Sequence, residues 1–75
     1  MDVNLKLENG VEVVKLSEGN MPMEAVYEGT HFYFVNWYTN PYGDIVYILY
    51  SDIRDGFKPI LKIRQSSILN ALNNK

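Results

Sequence analysis

The sequence predicts a mainly β fold, a small antiparallel barrel or roll of five to six strands followed by a short C-terminal helix. Two observations predict this class. Apolar residues alternate with polar ones, or β-branched and aromatic residues dominate, in short runs along most of the chain. Glycines fall between these runs rather than inside them, at positions 10, 19, 29, 43 and 56. Because glycine weakens the interior of a strand but favours a turn, this spacing indicates short strands joined by turns.

The N-terminal segment predicts a β-hairpin. Apolar residues alternate through residues 3–7, and a second apolar run follows at residues 11–16. Asn9-Gly10 lies between them, and both residues tolerate a positive φ, which favours a two-residue type I′ turn. That turn would place Glu8 opposite Val11. The further pairs that follow from it are Leu5 with Val14, Val3 with Leu16 and, on the other face, Lys6 with Val13.

Four further strands are predicted, at residues 23–27, 31–38, 45–50 and 58–63. The second of these is the clearest, because it is β-branched or aromatic at nearly every position. Residues 28–30 predict a tight turn. Residues 40–44, Asn-Pro-Tyr-Gly-Asp, predict another, since Pro fixes φ and Gly supplies a left-handed position. Pro59 fits the start or edge of the last strand.

The C-terminus changes to a helical period. Ser66 or Ser67 is a suitable N-cap, and Ile68, Leu69 and Leu72 form an apolar stripe. A helix of about two turns is marginal alone, so it must dock on the sheet. The predicted barrel has the size of SH3-like barrels. The alternative is an α+β open meander with the helix packed over one face.

Length and composition indicate one domain over residues 1–75, and no linker divides it. The chain has no cysteine, which excludes disulfides, cysteine-ligated metals and cysteine nucleophiles. It shows no apolar leader after Met1 and no Asn-x-Ser/Thr sequon, so we expect a cytoplasmic protein. No stretch approaches the roughly 18 apolar residues of a membrane span, and we expect no membrane association.

Signals for catalysis, metals and cofactors are weak. His31 is the only histidine, and no partner for a catalytic pair is evident in the sequence. Asp52 and Asp55 precede Gly56, but the alternating ligands and closing glutamate of a calcium loop are missing. No glycine-rich phosphate loop is present. We therefore expect no enzyme, no metal site and no cofactor.

The aromatic segment at residues 31–50 is the most informative feature. Strict alternation puts Tyr33 and Trp37 on one face and Phe34 and Tyr38 on the other, so both faces are apolar. Most rings are expected in the core, but a chain this short cannot obviously cover both faces. Three interpretations follow: the sheet closes on itself, another chain covers it, or the outer rings form a recognition surface. Candidate partner-binding residues are Trp37, Tyr38, Tyr42 and Tyr47, with Tyr33 and Tyr50 as an alternative face.

Charge suggests a further alternative. Residues 1–51 carry a formal net charge of −5 and residues 52–75 one of +3, which gives −2 for the whole chain. A basic patch of Arg54, Lys58, Lys62 and Arg64 could contact nucleic-acid phosphates, although a pI of about 5.2 argues against it. Lys58 and Lys62 could instead protect an edge strand.

The leading functional hypothesis is a non-enzymatic binding or regulatory module that recognises a protein partner through its aromatic-rich sheet. The alternatives are a homo-oligomeric protein, a homodimer in the simplest case, that uses this surface as its seam, and a nucleic-acid-binding module.

Overall fold

The computed structural model describes residues 1–51 and 59–74 as one six-stranded antiparallel sheet and one helix. The elements are β1 (Asp2–Lys6), β2 (Glu12–Leu16), β3 (Pro22–Tyr27), β4 (Thr30–Thr39), β5 (Ile45–Tyr50), β6 (Ile60–Arg64) and α1 (Gln65–Asn73). Strand order in the sheet follows chain order, so each strand pairs with the one before it. The mainly β class, the antiparallel strands and the C-terminal helix are confirmed.

The sheet is not closed into a barrel. Its two edge strands, β1 and β6, are not paired with each other in the described part of the chain. Helix α1 packs against β1, β5 and β6, and buries Ile68 in the core. The architecture is therefore the open meander with the helix on one face, rather than a closed barrel of the SH3-like kind.

The core lies between the inner face of the sheet and α1. Phe34 and Tyr47 meet edge to face within it, with ring centroids 6.3 Å apart and an interplanar angle of 61°. The buried residues of this cluster are Leu5, Val11, Val13, Leu16, Ala25, Phe32, Tyr47, Leu49, Ile63 and Ile68. Every strand contributes to one apolar cluster, as expected for a domain of this size.

The β1–β2 loop differs from the predicted two-residue turn. The Leu7 N–H donates to the Val11 carbonyl at 2.8 Å, and Gly10 has a φ of 79° whereas Asn9 has no positive φ. These features define a three-residue loop with the left-handed glycine last, rather than a type I′ turn. The predicted register is consequently wrong by one position, because Leu5 pairs with Val13 instead of Val14. Val13 is thereby moved from the outer face into the core.

The type I′ turn occurs instead between β3 and β4. Tyr27 pairs with Thr30, and the two residues between them, Glu28 and Gly29, have φ values of 52° and 78°. The sequence predicted a tight turn here without its type. At residues 40–44 the predicted turn is present, with Gly43 at a φ of 87° and its N–H donating to the Asn40 carbonyl at 3.0 Å.

Candidate binding surface

A β-bulge in β4 decides which aromatic side chains share a face. Phe34 pairs with Leu49 and Asn36 pairs with Ile48, so Val35 is an extra residue on β4. The extra residue reverses the alternation of side chains beyond it. The prediction that placed Trp37 on one face with Tyr33 is therefore wrong.

Beyond the bulge, Tyr38 joins Tyr33 on the outer face, away from α1. Trp37 pairs with the buried Tyr47 on the inner side. The resulting outer aromatic surface extends over β4, β5 and β6. We define it by Tyr33, Tyr38, Ile48, Tyr50, Ile60 and Lys62.

One cross-strand row lies at the centre of the outer aromatic surface. Tyr33 pairs with Tyr50, which pairs with Ile60. The side chains of paired residues lie on one face, so these three are neighbours across three strands. Tyr33 is 45% exposed and Ile60 is 61% exposed, while Tyr50 is partly buried between them. The row is an apolar strip that the protein's own core does not use.

The two described residues of the predicted basic patch already contact other groups of the protein. Lys62 Nζ lies 5.5 Å from the centroid of the Tyr38 ring, which is a cation–π contact. Arg64 Nη2 lies 3.3 Å from Glu8 Oε1. Arg54 and Lys58 lie outside the described residues. The predicted basic patch is thus represented by two side chains, each of which contacts another group of the protein.

The remaining aromatic candidates are separated by the fold. Trp37 is 51% exposed and Tyr42, in the β4–β5 turn, is 89% exposed. Tyr47 is buried in the core, and its hydroxyl accepts a hydrogen bond from Gln65 Nε2 at 3.3 Å. We therefore remove Tyr47 from the candidate surface. Its neighbours in sequence do not distinguish it from the exposed tyrosines, so sequence alone could not assign it to the core.

The distal half of β4 has an open backbone edge. β3 pairs with β4 only as far as Tyr33, so in the described part of the chain residues 36–39 pair with β5 alone. The Asn40 N–H donates to the Asp44 carbonyl, and hydrogen-bonded pairs alternate in an antiparallel ladder, so the backbone groups of Trp37 point away from β5. Asn36 Oδ1 accepts the Trp37 N–H at 2.8 Å. Asn36, which the sequence did not single out, thus covers a donor on this edge.

His31 belongs to a surface ion-pair network. Its Nδ1 lies 2.7 Å from Glu24 Oε2, and Lys15 Nζ lies 4.0 Å from the other carboxylate oxygen. His31 and Lys15 are more than half exposed. No cluster of three or more His, Asp or Glu side chains suited to a metal ion occurs among the described residues, and Asp52 and Asp55 lie outside them. The network therefore resembles ordinary surface pairing.

Comparison of the chain with protein-family models, with curated proteins and with solved structures gave no match. Across residues 1–51 and 59–74, no helix is long and apolar enough to cross a membrane.

Proposed function

We propose that this protein is a non-enzymatic binding module that holds a protein partner against the outer aromatic surface. The observation that carries the proposal is the row Tyr33, Tyr50 and Ile60, which crosses three strands on one face. Contiguous apolar groups on a surface are typical of interaction sites, and tyrosine is enriched among residues that dominate protein interfaces.

The energetics of the row also favour a partner. Ile60 is 61% exposed, although full burial of such a side chain contributes about 1.5–3 kcal/mol. The inner face supplies the core, so the fold does not require an apolar residue at this outer position. A partner that covers Ile60 and Tyr33 would recover this burial. Tyr33 would add a ring that loses little conformational entropy when it is fixed.

A nucleic acid is less well supported as the partner. The Lys62 ammonium, which a phosphate would need, already contacts the Tyr38 ring. A phosphate would compete with Glu8 for Arg64. The net charge of −2 adds a general repulsion. We therefore propose a protein, rather than a nucleic acid, as the partner.

Quantitative affinity capture from cells that encode the protein tests this proposal. The variant is Ile60→Ser, and the matched control is Leu69→Ser, which removes an exposed apolar side chain of α1 away from the surface. We expect the wild type and the Leu69→Ser control to capture the same partner protein. Ile60→Ser and Tyr33→Ser should both fail to capture it. Equal recovery with Ile60→Ser and Leu69→Ser contradicts the proposal.

Sedimentation distinguishes a protein partner from a second copy of the chain on the same surface. We expect the isolated protein to sediment as a monomer at micromolar and at hundred-micromolar concentration. A dimer that Ile60→Ser dissociates and Leu69→Ser leaves intact would assign the surface to self-association instead.

A further inference from the structure

We infer that the groove between β1 and α1 binds an extended peptide segment of a partner protein, which adds as a further strand to the open edge of β1. This site lies at the β1 edge of the sheet, whereas the outer aromatic surface lies on β4, β5 and β6. It is independent of the function proposed above.

The groove follows the backbone of β1. Two cavities, of about 430 and 570 Å³, lie side by side along the strand. Consecutive residues line each of them, residues 4–8 in the first and residues 1–4 in the second. Since successive side chains of a strand point to opposite faces, a cavity lined by every residue in a row must face the backbone edge.

Helix α1 forms the opposite wall. The residues that line the first cavity from the helix side are Ser67, Asn70, Ala71 and Asn74. They are spaced i, i+3, i+4 and i+7, which places them on one helical face. A groove between a strand edge and a helix face accepts an extended chain, whose backbone pairs with the strand while alternate side chains contact the walls.

Backbone groups of β1 are available in this groove. The Leu7 N–H donates to Val11, and Met1 and Leu16 exchange hydrogen bonds of 2.9 and 3.0 Å. Because hydrogen-bonded residues alternate along the strand, the N–H and C=O groups of Lys6, next to Leu7, and of Asp2, next to Met1, point away from β2. β2 is the only strand that pairs with β1 in residues 1–51 and 59–74. A strand added from another molecule at this edge would pair with these groups.

The side chains of β1 define the peptide that fits. Lys6 is exposed and lies opposite Glu12 of β2 without forming an ion pair to it, so an acidic residue opposite Lys6 on the added strand would be stabilised by its ammonium. Leu5 and Leu7 flank it on the inner side, beside Ala71. The residues before and after the acidic one would enter this apolar region. The expected segment is therefore apolar–acidic–apolar in an extended conformation.

A second copy of this chain is the competing occupant, because Met1-Asp2-Val3 has the same pattern. A two-fold pairing of β1 with itself would bring both copies of α1 to the same side of the seam. Helix α1 of the first copy already occupies that side of the β1 edge, so the second copy of α1 would collide with it. A single peptide strand avoids this conflict, and we assign the groove to it.

The probe is a peptide selected from a displayed library of random decapeptides for binding to the full chain. We expect enrichment of the apolar–acidic–apolar pattern, and slower hydrogen exchange of the Lys6 amide when the best peptide is bound. Failure to enrich any pattern, or an unchanged Lys6 amide, overturns the inference.

Two matched helix variants locate the bound peptide. Asn70→Trp fills the groove, while Asn73→Trp makes the same substitution at an exposed position of α1 outside the groove lining. We expect the peptide to bind Asn70→Trp about tenfold or more weakly and Asn73→Trp as tightly as the wild type. Equal affinities overturn the inference. A peptide-free dimer that protects the Lys6 amide also overturns it, in favour of a second copy.

Discussion

The Ser67 hydroxyl donates a 2.9 Å hydrogen bond to Glu8 Oε1, across 59 positions of the chain. Arg64 Nη2 lies 3.3 Å from the same oxygen. Helix α1 has no acidic residue in its first turn, and its N-cap residue, Arg64, makes no side-chain cap. Glu8 therefore brings a negative charge to the positive end of the helix and joins α1 to the first hairpin.

This contact predicts a difference between two adjacent serines. Ser67 is buried and donates to a carboxylate, so Ser67→Ala should lower the free energy of unfolding by about 1–2 kcal/mol. The control Ser66→Ala removes a partly buried hydroxyl of the same helix that forms no such bond to Glu8. It should change the free energy of unfolding by less than about 0.5 kcal/mol. Urea denaturation measures both. Equal losses would show that the Glu8 contact contributes nothing specific.

The β3–β4 turn contains a residue that its conformation disfavours. Glu28 has a φ of 52°, in the left-handed region that asparagine tolerates better than glutamate. We expect Glu28→Asn to raise the free energy of unfolding by about 0.5–1 kcal/mol, since Asn-Gly is the preferred type I′ sequence. Glu18→Asn, in another exposed turn but without a positive φ, is the control and should have little effect. A gain of the same size in the control would refute the explanation.

The aromatic candidates should separate into core and surface residues in a stability measurement. Tyr47→Ala should cost about 3–5 kcal/mol, as for other large side chains removed from a core. Tyr42→Ala should change stability by less than about 0.5 kcal/mol, because its side chain is 89% exposed. Thermal melts followed by circular dichroism report both effects. Comparable melting temperatures for the two variants would contradict the position of Tyr47 in the core.

The open edge of β4 predicts a gain of self-association. Asn36→Ala removes the acceptor that now covers the Trp37 N–H, and so exposes a backbone donor beside apolar side chains. We expect the variant to form dimers or larger species in sedimentation at hundred-micromolar concentration. Asn73→Ala, an exposed asparagine on α1, should sediment like the wild type. A monomeric Asn36→Ala variant would show that the amide does not protect this edge.

Local sequence determined the class of fold and the positions of its elements. The strand at residues 45–50 is observed with these bounds, and the predicted strand at 31–38 extends by one residue at each end. Alternation, β-branched and aromatic residues, and glycine or proline in turns are short-range signals, so they locate strands without knowledge of the fold. The helix was also predicted, although it begins at Gln65 with Arg64 as N-cap rather than at a capping serine.

Tertiary structure alone decided the pairing and the faces. The β1–β2 register depended on whether Asn9 became left-handed together with Gly10, and Asn9 tolerates either conformation. The bulge at Val35, which groups Tyr38 with Tyr33, has no local signal. The strand register and the face of each side chain are set by the arrangement that best fills one shared core. The sequence by itself determined that aromatic strands lie at residues 31–50, and the packed sheet decided which of their rings face solvent.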